Sequence, residues 1–379
     1  MKDMRISPEL QNLVPYKPGK PISETQREYG LAKVVKLASN ENPLGPSPKA
    51  VAAVQKALAS TNLYPDPGHF QMREALSSKW NIPPHQLAFG NGSDELIDLL
   101  CRIYCEPGQS ILTIPHAFAA YEISARANRA RVLISEFDSL VETYFKNQET
   151  VRIIFIPNPN NPTGLYFSEQ QVTALCEALR DQEVLVVFDE AYNEFVRARD
   201  YVSSVSFFSR FNHVVVLRTF SKAYGLAGFR VGALIGPEET VEVYNRIRKP
   251  FNVNELAQVA LVAALQDDDF MRKTQEVTWK GLDYFYNKLQ QLGLPFFNSE
   301  GNFVLFDTLR DSSQVFEALL KRGIILRPVK NYGFPTHLRM SVGLSEENEA
   351  AIQALEEILP GIEKVESASE PSPLGKKRG

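Results

Sequence analysis

Seven short apolar runs follow one another through the first two thirds of this chain: "QLAFG", "SILTIPH", "ARVLISE", "VRIIFIP", "VLVVFDEAY", "HVVVLRTF" and "RVGALIG". They are rich in Val, Ile and Leu and do not alternate with polar residues, so they predict strands buried on both faces. Helical patterns lie between them. "NGSDELIDLLCRIYC" follows the first run, and "SEQQVTALCEALR" follows the fourth, with Ser168 as its N-cap. "VAAVQKALAS" precedes them all as a further helix. Strands covered on both faces and joined by helices imply right-handed crossovers, a mostly parallel sheet and an α/β/α layered domain.

The pattern changes near "LQDDDF" (265–270). A long helical stretch follows, then "GNFVLF", the helix "SSQVFEALLKRG", the strand "IILRPV", the strand "HLRMSVG" and the helix "SEENEAAIQALEEIL". That order predicts a smaller α+β domain, and 379 residues suit two domains. The expected division is an N-terminal arm (1–30), a large domain (31–266), a small domain (267–364) and a tail (365–379) whose Ser, Pro and Gly content reads as disordered.

Several function classes are disfavoured. A net charge of −4 argues against general nucleic-acid binding. No stretch reaches membrane-spanning length, and the N-terminus lacks the apolar core of a secretion signal. Three cysteines make no disulfide framework, and Cys101 and Cys105 read as buried helix residues, so a reducing cytoplasm is expected. The five histidines show no metal spacing, so no metal is expected, and no serine elbow occurs for one of them to serve.

Chemistry concentrates where the apolar runs end. "FGNGSDE" opens like a dinucleotide fingerprint but carries Glu95 where the third glycine belongs. Gly92 still permits close backbone approach, Ser93 and Asp94 can cap the helix, and its first N–H groups can hold an anion. "IPNPNNPTG" is a stiff loop at a strand's carboxyl end, with the Asn161 amide available. Asp189 ends a buried run, with Tyr192 three residues later. Two acids after a strand also suit a nucleotide-binding segment, but the chain has no GxxxxGK[ST] loop. Lys222 follows "HVVVLRTFS" in apolar surroundings that lower a lysine's pKa and make it a nucleophile toward aldehydes. Thr219, Ser221 and Arg230 around it suit a phosphate. Together these groups match a cofactor with a phosphate, a basic ring nitrogen, a ring hydroxyl and an aldehyde, which is pyridoxal 5′-phosphate (PLP).

The stretches "LASNENPLGPSP", "YPDPGHFQMREALS", "FGNGSDELI", "NPNNPTG", "VVFDEAY", "RTFSKAYGLAGFRVG", "GNFVLF" and "LRMSVG" resemble the fold-type I PLP aminotransferases, and among them the histidinol-phosphate aminotransferase family, over roughly residues 14–360. The resemblance implies roles. Lys222 would bond to the cofactor's aldehyde and later move the substrate's proton. Asp189 would hold the ring nitrogen protonated, and Tyr192 and Asn161 would meet the ring hydroxyl. Gly92, Ser93, Asp94, Ser221 and Arg230 would hold the phosphate, with Thr219 beside them. Phe118 would stack on the ring where many relatives carry tyrosine. Tyr64 would reach the phosphate of a neighbouring subunit, which implies a homodimer with shared sites. Arg339 would bind the substrate's anionic group, helped by Arg327 and Tyr16. The implied reaction moves an amino group from L-histidinol phosphate to 2-oxoglutarate. Aminotransferases of aromatic amino acids share most of these stretches and stay open as the alternative. A threonine-phosphate decarboxylase is disfavoured by Glu41 of "SNENPLG", and a non-catalytic phosphate-ligand binding protein on the same fold would lack a covalently bound chromophore.

Overall fold

The computed structural model describes residues 8–11, 13, 15 and 19–365. A two-residue strand, β1 (Val35–Lys36), comes first. The seven apolar runs then form one sheet: β2 (Leu87–Gly90), β3 (Ser110–Thr113), β4 (Arg131–Ile134), β5 (Val151–Pro157), β6 (Leu185–Asp189), β7 (Val214–Thr219) and β8 (Gly232–Ile235). Their order across the sheet is β2-β8-β7-β6-β5-β3-β4. Neighbours from β4 to β7 pair in parallel, while β8 runs against both of its neighbours. The segment between β7 and β8 holds no long helix to carry a parallel crossover, so the chain returns antiparallel.

Alternate side chains of the central strands enter two apolar layers. Val186, Phe188, Val214 and Val216 pack with the helices Glu169–Ala178 and Glu255–Leu265. Leu185, Val187, Val215 and Leu217 pack with the helices Ser93–Tyr104 and Glu238–Ile247. Burial on both faces is why these strands carry no polar alternation. Ser168 caps its helix as expected: it accepts from the Gln171 N–H, and the Gln171 side chain accepts from the Ser168 N–H at 3.0 Å.

Asp267 caps the helix Asp268–Gln291, and this is the physical content of the change at "LQDDDF". Four strands follow: β9 (Phe303–Asp307), β10 (Ile324–Ile325), β11 (Arg327–Pro328) and β12 (His337–Ser341). β12 lies between β9 and β11, antiparallel to both. Val304, Phe306, Leu338 and Met340 pack on helices that include Ser312–Lys321 and Ser345–Ile358. "IILRPV" does not form the single strand expected of it. Its first half, β10, pairs in parallel with β1, and its second half, β11, pairs with β12. The split moves Arg327 onto the small sheet directly opposite Arg339, and side chains opposite one another share a face.

Tyr16 and, from residue 366 onward, the tail lie outside the described residues. Among the described residues no helix is long and apolar enough to cross a membrane.

Candidate active site

The carboxyl ends of β5, β6 and β7 lie side by side, with Pro157 opposite Asp189 and Asp189 opposite Leu217. Ligands of open α/β sheets bind beyond this edge. A cavity of about 470 Å³ opens there, closed on its far side by the small sheet through Arg339. Of the residues singled out from sequence, Ser93, Asp94, Phe118, Asn161, Asp189, Tyr192, Thr219, Ser221, Lys222, Arg230 and Arg339 line it.

Lys222 lines the cavity, and its Nζ donates to the Ser39 carbonyl at 3.0 Å. Burial pulls its pKa down to about 8, and the nearby positive charge of Arg339 pulls the same way. Asp189 is buried at the end of β6. Its Oδ2 accepts from the Tyr121 hydroxyl at 2.8 Å, while its Oδ1 has no partner among the described residues. Burial pushes its carboxyl up to about 6, against the lowering effect of the Tyr121 hydrogen bond. The Tyr192 hydroxyl accepts from Asn40 Nδ2 at 2.9 Å. Asn40 in turn accepts from the Ser341 hydroxyl at 2.7 Å, which ties this corner to β12. Arg339 donates to Asn161 Oδ1 and, at 2.7 Å, to the Ala38 carbonyl. The Asn161 amide therefore presents its NH2 group as the free-to-donate end.

At the other end of the cavity the helix Ser93–Tyr104 begins. Neither Ser93 nor Asp94 caps it, contrary to the sequence expectation. Gly92 holds the N-cap position with φ 81°, and no side chain caps the helix. A φ of 81° strains any residue with a Cβ, and a Cβ there would also displace the Arg230 guanidinium, so glycine holds this position. Asp94 instead pairs with Arg230 Nη2 at 3.1 Å. Arg230 Nη1 donates to the Ser221 hydroxyl at 3.2 Å, and Thr219 donates to the same oxygen at 3.0 Å. A helix start, a guanidinium and two hydroxyls thus surround one space, an arrangement suited to a dianion.

Two predicted residues lie elsewhere. Tyr64 is 82% exposed and stacks on Phe251 with ring centroids 4.5 Å apart. Arg327 is buried on β11 beside Arg339 rather than on the cavity wall. Sequence reasoning missed Tyr121 and Asn40. Tyr121 sits three positions after Phe118, a helical spacing that puts both on one face. Asn40 lies in "SNENP" but carries no strand or helix signal of its own.

The model of the class I and II aminotransferases matches residues 32–355. The chain belongs to that family. A histidinol-phosphate aminotransferase of Bdellovibrio bacteriovorus is 60% identical over 95% of this chain and 99% of its own length. That of Moorella thermoacetica is 43% identical over 92% of each. A histidinol-phosphate aminotransferase from Sinorhizobium meliloti, solved in complex with pyridoxal-5′-phosphate, superposes with a TM-score of 0.85 at 25% identity, over 94% of this chain and 98% of that one.

The donor set of this aminotransferase fits PLP. A buried carboxylate oxygen on Asp189 with no partner among the described residues suits a protonated ring nitrogen. A lysine with a lowered pKa suits an aldehyde. An open helix start beside Arg230 suits a phosphate, and the glycine there has a φ of 81° that strains any side chain.

Proposed function

We propose that this aminotransferase moves the amino group of L-histidinol phosphate to 2-oxoglutarate, giving imidazole-acetol phosphate and glutamate in histidine biosynthesis. Its cofactor is PLP. The observation that carries the reading is the meeting in one cavity of the Lys222 amine, the Asp189 carboxylate and the Arg339 guanidinium. When bound, PLP supplies an aldehyde that condenses with amines and a ring that draws electrons from the substrate's Cα.

The chain's own residues do the rest. The neutral Lys222 amine would take the proton from the substrate's Cα. A pKa near 8 leaves a working fraction of that amine neutral at physiological pH. Asp189 keeps the ring nitrogen protonated through an ion pair in a dry site. Tyr192 and the Asn161 NH2 group would meet the ring hydroxyl, and Phe118 would stack on the ring. The backbone at Gly92, Ser93 and Asp94, with Thr219, Ser221 and Arg230, holds the cofactor's phosphate. Arg339 meets the substrate's anionic group, a phosphate in one half-reaction and a carboxylate in the other. Arg327, opposite it on β11, adds a second positive charge next to Arg339 that favours the phosphorylated substrate. Tyr16, outside the described residues, would help Arg339 bind the substrate.

The wider reading places the enzyme in the cytoplasm as a homodimer, with Tyr64 reaching into the neighbouring subunit's site. Its chain divides into an arm (1–30), a large domain (31–266), a small domain (267–364) and a tail (365–379), with β1 paired across to β10. Borohydride reduction of the holoenzyme, followed by peptide mapping, tests the core of this reading. The cofactor label is expected on the peptide containing Lys222; a label on another lysine contradicts it.

A further inference from the structure

Tyr121 is a buried hydroxyl that the reaction just described does not use. It is 1% exposed, and its ring lies parallel to that of Phe155, with centroids 4.7 Å apart and planes 6° from coplanar. Phe118 meets it edge to face at 6.0 Å and 88°. The ring is therefore held on two sides, and its hydroxyl points to a single acceptor, Asp189 Oδ2, at 2.8 Å. The other carboxylate oxygen has no partner among the described residues.

We propose that Tyr121 is a positioning residue: it ties one oxygen of Asp189 so that the other faces the cofactor's ring nitrogen, and it keeps that carboxylate ionised. The proposal rests on the reading of Asp189 as the ring's partner. A carboxylate with one oxygen anchored cannot rotate both away from the ring. A hydroxyl donor also favours the charged form of the carboxylate over the neutral one. This matters because the surroundings push the other way. Burial opposes ionisation, and the negative charges of Asp94 and Glu190 oppose it further, while the Ala191 N–H helps Tyr121. Asp189 and the ring nitrogen compete for one proton. Without the Tyr121 hydroxyl the balance moves toward a neutral acid and a neutral ring, which draws electrons poorly. The same side chain buttresses Phe118, so the two contacts of the ring, edge and face, share one support.

Tyr121→Phe removes the hydroxyl and keeps the packed ring. In cofactor-free enzyme carrying aspartate labelled with 13C at the side-chain carboxyl, the Asp189 signal is the one absent from Asp189→Asn. Its titration midpoint should rise by about one unit or more in Tyr121→Phe, the worth of one charge-assisted hydrogen bond. A more acidic difluorotyrosine at position 121 should move the midpoint the opposite way. In holoenzyme loaded with PLP labelled with 15N in the ring, the nitrogen signal should move from the protonated toward the neutral position in Tyr121→Phe. An Asp189 midpoint that ignores both replacements overturns the proposal. A ring signal that responds to Asp189→Asn but not to Tyr121→Phe overturns the proposal alone. A ring signal indifferent to Asp189→Asn overturns the reading beneath it as well.

Discussion

At Asp189 the site's chemistry and the protein's stability pull in opposite directions. An ordinary aspartate titrates near 3.8, and burial moves this one to about 6. Between those values the folded, cofactor-free protein keeps a proton that the unfolded chain has released. Its stability therefore falls as pH rises through that window and levels off above it. One unit of the window lies between pH 5 and pH 6, so about 1.4 kcal/mol should be lost between pH 5 and 7.5. Asp189→Asn removes this loss, so urea unfolding of the cofactor-free variant should show an advantage over wild type that grows by about that amount across the same range. An advantage of equal size at both pH values would contradict the burial argument. The loaded enzyme should lack the slope, because the ring nitrogen's charge offsets the carboxylate. Asp189 and Lys222 were legible in sequence because each is a charged group at the end of an apolar run. Tyr121 was not legible in this way. Its meaning depends on a contact 68 positions along the chain, which no local pattern carries.

Among the secondary-structure elements, β6 and β7 end at the site with Asp189 and Thr219, and a buried ion cluster joins their ends. Arg218 of β7 pairs with Glu190 at 3.2 Å and Glu194 at 2.8 Å, and its guanidinium lies over the Trp80 ring at 5.2 Å. Glu190 also accepts from the Ser203 hydroxyl at 2.6 Å. Arg218→Met leaves two buried carboxylates without their cation and should cost about 3–5 kcal/mol in chemical denaturation. Adding Glu190→Gln and Glu194→Gln to that variant should recover part of the loss. A loss below about 1 kcal/mol would place the cluster with exposed pairs of little consequence. The strands themselves were readable, since residues buried on both faces leave a continuous apolar run. Two features were not. The reversal of β8 follows from the connection that holds Lys222 and Arg230, and the division of "IILRPV" follows from two different partner strands. Composition is blind to both, because pairing direction and partner are decided by other parts of the chain.

For the molecule as a whole, the stretch around Tyr64 stands out on the surface. Leu58, Leu63, Tyr64 and Phe70 are 53%, 66%, 82% and 67% exposed. Exposed apolar residues so close in sequence are what the proposed dimer would cover. If Tyr64 acts in the neighbouring site, mixing Lys222→Ala subunits with Tyr64→Ala subunits should regenerate a fraction of wild-type sites. No regained activity after demonstrated subunit exchange would count against shared sites. The central claim concerns the substrate, and kcat/KM with 2-oxoglutarate as acceptor tests it most directly. Histidinol phosphate offers a dianion to Arg339, whose neighbour Arg327 adds positive charge behind it, whereas phenylalanine and tyrosine offer one carboxylate. Charge-assisted hydrogen bonds to the extra charge should favour the phosphorylated substrate by roughly tenfold to a hundredfold or more. A kcat/KM for phenylalanine or tyrosine equal to or above that for histidinol phosphate would contradict the account and make the enzyme an aromatic aminotransferase.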